Sequence, residues 1–113
     1  TGEIHLKTYW LNGLKHGDEI EYYENGRIYN KCTWINGKKH GDEIHYYTMD
    51  QIKYQTYWLN GKKHRETGPA IISRNGHREW WFNGKRHCED GPAIIYPNGY
   101  EDWYINGVFQ RRC

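Results

Sequence analysis

Apolar residues in this chain of 113 residues never gather into a long run. They fall in short alternating stretches, such as Glu19-Ile20-Glu21-Tyr22-Tyr23 and Tyr100-Glu101-Asp102-Trp103-Tyr104-Ile105. Period-two alternation rich in Ile, Tyr and Trp reads as strand. The stretches are cut by Asn-Gly, which occurs eight times: Asn12-Gly13, Asn25-Gly26, Asn36-Gly37, Asn60-Gly61, Asn75-Gly76, Asn83-Gly84, Asn98-Gly99 and Asn106-Gly107. Both residues accept the positive φ angles of a type I′ turn, so each copy predicts a tight hairpin. With turns every 8 to 15 residues, a helix of ordinary length, ~12 residues, has no room. The pattern predicts about nine strands, near 3–11, 18–23, 27–35, 42–47, 51–59, 69–73, 77–82, 92–96 and 100–105. The turn at Met49-Asp50-Gln51 is the one without Asn-Gly, and a hairpin with weaker turn chemistry is expected there.

The stretches repeat. Five of the eight Asn-Gly copies form a regular series with an aromatic two residues before the Asn: Trp10, Trp34, Trp58, Trp81 and Tyr104, spaced 24, 24, 23 and 23. A His follows four residues after the same Asn at His16, His40, His64 and His87, with Gln110 in the fifth unit. Early units continue into Gly-Asp-Glu-Ile, at 17–20 and 41–44, while later units insert residues and read Gly-Pro-Ala-Ile-Ile, at 68–72 and 91–95. We therefore expect one repeat domain over 1–113, about 4.5 units long, in the early form over 1–60 and the Gly-Pro-Ala form over 61–113. Its fold class is all-β: a single elongated, twisted antiparallel meander of stacked β-hairpins. The outermost strands would be open edges, suited to edge-to-edge self-association.

Side-chain alternation divides the strands that lead into each tip turn. One parity carries Tyr9, Leu11, Thr33, Ile35, Tyr57, Leu59, Trp80, Phe82, Trp103 and Ile105. The other carries Thr8, Trp10, Cys32, Trp34, Thr56, Trp58, Glu79, Trp81, Asp102 and Tyr104. The first set is the more apolar and is expected to line the inner face of a curled sheet. The second would present an aromatic ladder to a groove. A single-layer sheet cannot bury both faces by itself, so the rings either pack between repeats or receive a partner, and the two roles can coexist. Trp10, Trp34, Trp58, Trp81 and Tyr104 are the candidate binding residues, joined by Tyr22 and Tyr46 from the Tyr22-Tyr23 and Tyr46-Tyr47 pairs.

Composition narrows the function. Apolar residues make up 36% of the chain and aromatics 17%, so any core is built of rings rather than aliphatics. Sixteen Lys and Arg against fourteen Asp and Glu leave +2, which disfavours a nucleic-acid partner. Cys32, Cys88 and Cys113 have no paired spacing, which suggests neither a disulfide framework nor a thiolate metal site, and a reduced cytoplasmic setting is the mild expectation. The four His recur once per hairpin, ~10 Å apart, too far for shared ligation of zinc. A turn-stabilising role is expected, with the ring beside the Trp and bonded to a loop carbonyl. Asp and Glu at 18–19, 42–43, 66 and 89–90 follow the repeat and suggest a charged rim. Lys-Lys-His and Lys-Arg-His, at 38–40, 62–64 and 85–87, suggest a basic edge that anionic membrane lipid could meet. No nucleophile sits beside a base in a convincing way and no cofactor motif is present, so neither an enzyme, a metal nor a cofactor is expected.

The unit Trp34-Ile35-Asn36-Gly37-Lys38-Lys39-His40-Gly41-Asp42-Glu43-Ile44-His45-Tyr46-Tyr47 resembles the MORN repeat, in the variant found in bacterial antitoxin-like proteins. The Gly-Pro-Ala-Ile-Ile form around Trp81-Phe82-Asn83-Gly84-Lys85-Arg86-His87 is similar to repeat proteins of large DNA viruses and phages. The resemblance spans essentially the whole chain. It implies an elongated antiparallel sheet that acts as a scaffold for a protein partner or, in some members, sits at a membrane. The later units depart from the early ones: they lose the Gly after His and carry Arg65-Glu66-Thr67-Gly68 or Cys88-Glu89-Asp90-Gly91 instead.

Overall fold

The computed structural model describes residues 5–47 and 51–113. The expected turn at Met49-Asp50-Gln51 falls largely outside the described residues, although the Tyr47 amide bonds the Gln51 carbonyl at 2.7 Å. All regular structure among the described residues is β. The main sheet is an open antiparallel meander with ten strands along its path: His5–Lys7, Gly17–Tyr22, Ile28–Ile35, Gly41–Tyr46, Ile52–Leu59, Ile71–Ser73, Arg78–Glu79, Ile94–Ile95, Glu101–Ile105 and Val108–Arg112. Every strand pairs with its neighbour along this path, and the ribbon measures 47 × 34 × 20 Å.

The path holds one strand more than the nine expected, Val108–Arg112, and two of the expected strands are broken. The strand expected over 3–11 is broken: His5–Lys7 joins the sheet, whereas Trp10–Leu11 turns off to pair with Leu14–Lys15. The strand expected over 77–82 likewise splits, with Trp81–Phe82 pairing Lys85–Arg86. Similar two-residue returns, Lys38–Lys39 and Lys62–Lys63, fold back on the longer strands. Each aromatic-x-Asn-Gly turn therefore closes a small tip hairpin. The tenth strand, Val108–Arg112, follows the last such turn and was missing from the expected set.

The Asn-Gly turns are of two kinds. At the tips, Asn12, Asn36, Asn60, Asn83 and Asn106 have φ of 48–51° and are followed by Gly at 79–81°, the type I′ pair. At the opposite ends, Asn25, Asn75 and Asn98 are not left-handed; their Oδ1 accepts the amide of Arg27, His77 and Tyr100, and only the Gly has positive φ. The Asx bond replaces the second positive φ, so the uniform type I′ expectation holds at the tips alone.

Tips of successive repeats are tied together. The amides of Gly37, Gly61, Gly84 and Gly107 donate to the carbonyls of Lys15, Lys39, Lys63 and Arg86 in the preceding repeat, at 2.8–2.9 Å. Each repeat thereby hydrogen-bonds to the next through the tip as well as through the strands.

Cover is shared between the two faces rather than confined to the expected one: Ala70 and Ala93, on the face of Tyr57, Trp80 and Trp103, are fully buried. Tyr9, Leu11, Ile35, Leu59, Phe82 and Ile105 are exposed, whereas Cys32, Thr56 and Asp102 of the other parity are buried, together with Glu19, Asn30, Glu43 and Ile94. The expectation ranked the faces by apolar count. On the face of Cys32 and Thr56 the cover comes from side chains long enough to lie flat over it, and here those are Trp and Lys.

Candidate functional site

Strand register places one carboxylate per repeat on the face that carries Trp34 and Trp58. In the early repeats it stands on the first strand of the pair, Glu19 opposite Cys32 and Glu43 opposite Thr56. In the later repeats it moves to the second strand, Glu79 opposite Ile71 and Asp102 opposite Ile94. The two sequence forms thus build the same rung from opposite sides. Glu19 and Glu43 are not the charged rim suggested by sequence; Asp18 and Asp42, one residue earlier, are the exposed pair.

Three of the four rung carboxylates are held by an indole of the tip aromatics. Trp34 Nε1 donates to Glu19 Oε1 at 3.1 Å, Trp58 Nε1 to Glu43 Oε1 at 3.0 Å, and Trp81 Nε1 to Glu79 Oε1 at 2.9 Å. Lys15 and Lys39 reach Glu19 and Glu43 at 2.9 and 3.0 Å, and Arg86 reaches Glu79 at 3.4 Å. The last rung differs: Arg112 and the Tyr96 hydroxyl hold Asp102, with Arg112 Nε at 2.6 Å and Nη2 at 2.9 Å. In the early tips Gly17 and Gly41, both at positive φ, stand opposite Trp34 and Trp58.

The cations also interleave with the rings. Lys15 lies over Trp10 and Trp34 at 6.0 and 4.9 Å, and Lys39 over Trp34 and Trp58 at 5.8 and 5.1 Å. Lys63 lies 4.8 Å over Trp81, and Arg86 over Trp81 and Tyr104 at 5.1 and 5.5 Å. Of the two basic residues at each tip, the first faces outward and the second is inserted into this stack. Half of the expected basic edge is therefore occupied within the molecule.

These contacts decide protonation. Burial opposes the charge on Glu19, but hydrogen bonds from Lys15, Thr8 and Trp34 outweigh it and hold the carboxyl below its usual range. Glu79 is lowered in the same way, burial being outweighed by His77, Trp81 and Arg86. Asp102 is lowered chiefly by its hydrogen bond to Arg112. Cys32 lies between Glu43 and Glu19, and burial with these two charges pushes its thiol up to about 11. Burial also pushes Cys88 up. Both thiols are accordingly poor nucleophiles.

The face of the rung carboxylates holds a groove of about 600 Å³. Trp34 and Trp58 wall it, and Glu19, Asn30, Glu43 and Tyr54 are among the residues below them. Trp81 and Tyr104 border a separate depression of about 220 Å³ with Arg86. Trp10, which is 63% exposed, lines neither. Nor do Tyr22 and Tyr46, which alternate to the other face. The seven candidates are thus one pair at a groove, one pair at a shallower site, and three apart. Glu21, Asn30, His45 and Tyr54 are groove residues that sequence reading missed. Their signal was available: they share parity with Trp34 and Trp58 once the hairpin register is set.

Three of the four repeated His rings stabilise turns by another bond than expected, while the buried Nδ1 of His40 has no hydrogen-bond partner among the described residues. Nδ1 of His16, His64 and His87 accepts the backbone amide of Asn36, Asn83 and Asn106, the tip Asn of the following repeat, at 2.9–3.3 Å. The partner is an amide rather than a carbonyl. His64 packs on Phe82 at 4.5 Å rather than on a Trp. Among the described residues, no group of three or more His, Cys, Asp or Glu is gathered in a way that could hold a metal ion, and no helix is long and apolar enough to cross a membrane. No family model matches the chain, and no curated protein matches it.

Proposed function

We propose that this chain is a non-enzymatic, MORN-like repeat scaffold that binds a segment of a protein partner along the sheet face that carries Trp34 and Trp58. The observation that carries the reading is the groove walled by Trp34 and Trp58, whose rings are already fixed by carboxylate and lysine contacts. A preformed wall of this kind loses little side-chain freedom on binding. Aromatic rings with a polar edge give large contact area at low entropic cost. The resemblance to antitoxin-like and viral repeat proteins is in keeping with an interaction module. The test is photo-crosslinking from two positions in cells, Tyr54 in the groove and Lys31 on the opposite face, each replaced by benzoylphenylalanine. A discrete protein adduct from Tyr54 that is absent from Lys31 supports the scaffold. Adducts from Lys31 alone, or none from either, overturn it.

One observation favours a second reading, attachment to anionic membrane lipid. Ile35, Leu59 and Phe82 are exposed at the tips, and their cross-strand partners are Lys38, Lys62 and Lys85. An apolar row beside a basic row suits a headgroup boundary. Flotation with phosphatidylserine vesicles at low and high salt tests this, and absence of binding at low salt ends it.

A further inference from the structure

We infer that the lower row of the groove is a receptor for a guanidinium head, supplied by an arginine side chain of the bound partner segment. The inference rests on the scaffold reading above and names what its groove recognises. Register sets Glu21 opposite Asn30, Asn30 opposite His45, and His45 opposite Tyr54, so these four form one polar row across four strands. Asn30 is 5% exposed. Its Nδ2 donates to Glu43 Oε2 at 3.2 Å, which fixes the orientation of the amide and turns Oδ1 away from Glu43. That buried oxygen has no donor. A buried amide oxygen left without a hydrogen bond is costly, and native structures rarely retain one without a reason.

Glu21 is the cross-strand neighbour of Asn30 and also lines the groove. Glu19 and Glu43 have Lys15 and Lys39, whereas Glu21 has no ion pair among the described residues. Two acceptors thus stand side by side with no donor between them. A planar cation with several N–H groups satisfies both at once, and a single metal ion does not, because the row lacks a ligand cluster. Next along the row, His45 and Tyr54 are stacked on each other with centroids 4.3 Å apart, which fixes both rings beside the two acceptors. Of the two lysines that line the groove, Lys39 is engaged by Glu43 and Lys63 lies over Trp81 at 4.8 Å.

The experiment is an NMR titration of the full chain with N-acetyl-arginine methylamide, and in parallel with the neutral citrulline analogue. Saturable shifts of the Asn30 side-chain amide and the Tyr54 ring are expected with the arginine probe alone. Glu21→Gln is expected to weaken binding about tenfold or more, the effect of losing one charge-assisted contact, with unchanged melting because Glu21 has no partner to lose. Equal shifts from citrulline, or undiminished binding in Glu21→Gln, overturn the inference. So does the absence of any shift at Asn30. If Tyr54 crosslinks to a protein while the arginine probe fails to bind, the cation site falls and the scaffold stands. If the probe binds but Tyr54 captures no protein, the scaffold reading falls, and with it the assignment of the guanidinium to a partner.

Discussion

Glu43 is 5% exposed and would be expensive to bury alone, yet it accepts from Lys39, Trp58 and Asn30 at 3.0–3.2 Å. Removing it strands the indole and amide donors together. Glu43→Ala is expected to cost about 3 kcal/mol in urea unfolding. Lys63 occupies the same tier as Lys39, but the residue at the rung position beside it is Ile71, and it has no ion pair among the described residues. Lys63→Ala is therefore expected to cost less than about 1 kcal/mol. Acid should weaken the fold in two stages. Burial lowers His45 from its ordinary 6.5, so below that pH the unfolded chain binds a proton that the native ring resists. Glu19, Glu79 and Asp102 are lowered as well, so their stabilisation is present at neutral pH and is lost as pH falls through the carboxylate range. Melting temperature should begin to decline near the His range and drop steeply below about pH 4.5. His45→Phe should remove the first stage and leave the second.

The hairpin is the element that the sequence makes plainest, because Asn-Gly carries its own backbone requirement. The two classes of turn predict different sensitivities. Asn60 has φ of 48°, so Asn60→Ala is expected to cost about 1–2 kcal/mol by placing a β-carbon in the left-handed region. Asn75 is not left-handed and contributes one bond to His77 at 3.1 Å, so Asn75→Ala should cost about 0.5–1 kcal/mol, read from denaturant midpoints. Asn12, Asn36, Asn60, Asn83 and Asn106 were legible as turns, but the strand after each was not. Leu14-Lys15 and Lys38-Lys39 are too short and too polar to announce themselves as strands. How cover is shared between the two faces was also not legible from apolar content. Cys32, Thr56 and Asp102 are buried beside rings and basic side chains, Asp102 under Arg112 and Tyr96, and that coverage depends on register between strands.

At the scale of the whole molecule, the ribbon is one layer, and its face with Trp34 and Trp58 is an alternating stack of indole, cation and carboxylate. The shift from early to later repeats preserves that stack by moving the acid across the hairpin, from Glu43 to Glu79. The groove is a product of the stack: where Trp34 and Trp58 stand over Glu19 and Glu43, the row below them is left open. The most direct measurement is hydrogen exchange at the tryptophan indoles, resolved by NMR. The indole protons of Trp34, Trp58 and Trp81 are hydrogen-bonded, whereas Trp10 is 63% exposed. The three should exchange at least about tenfold more slowly than that of Trp10, and Glu43→Ala should release Trp58 alone. Four indoles exchanging at one common rate, or a Trp58 unaffected by loss of Glu43, would contradict the stack.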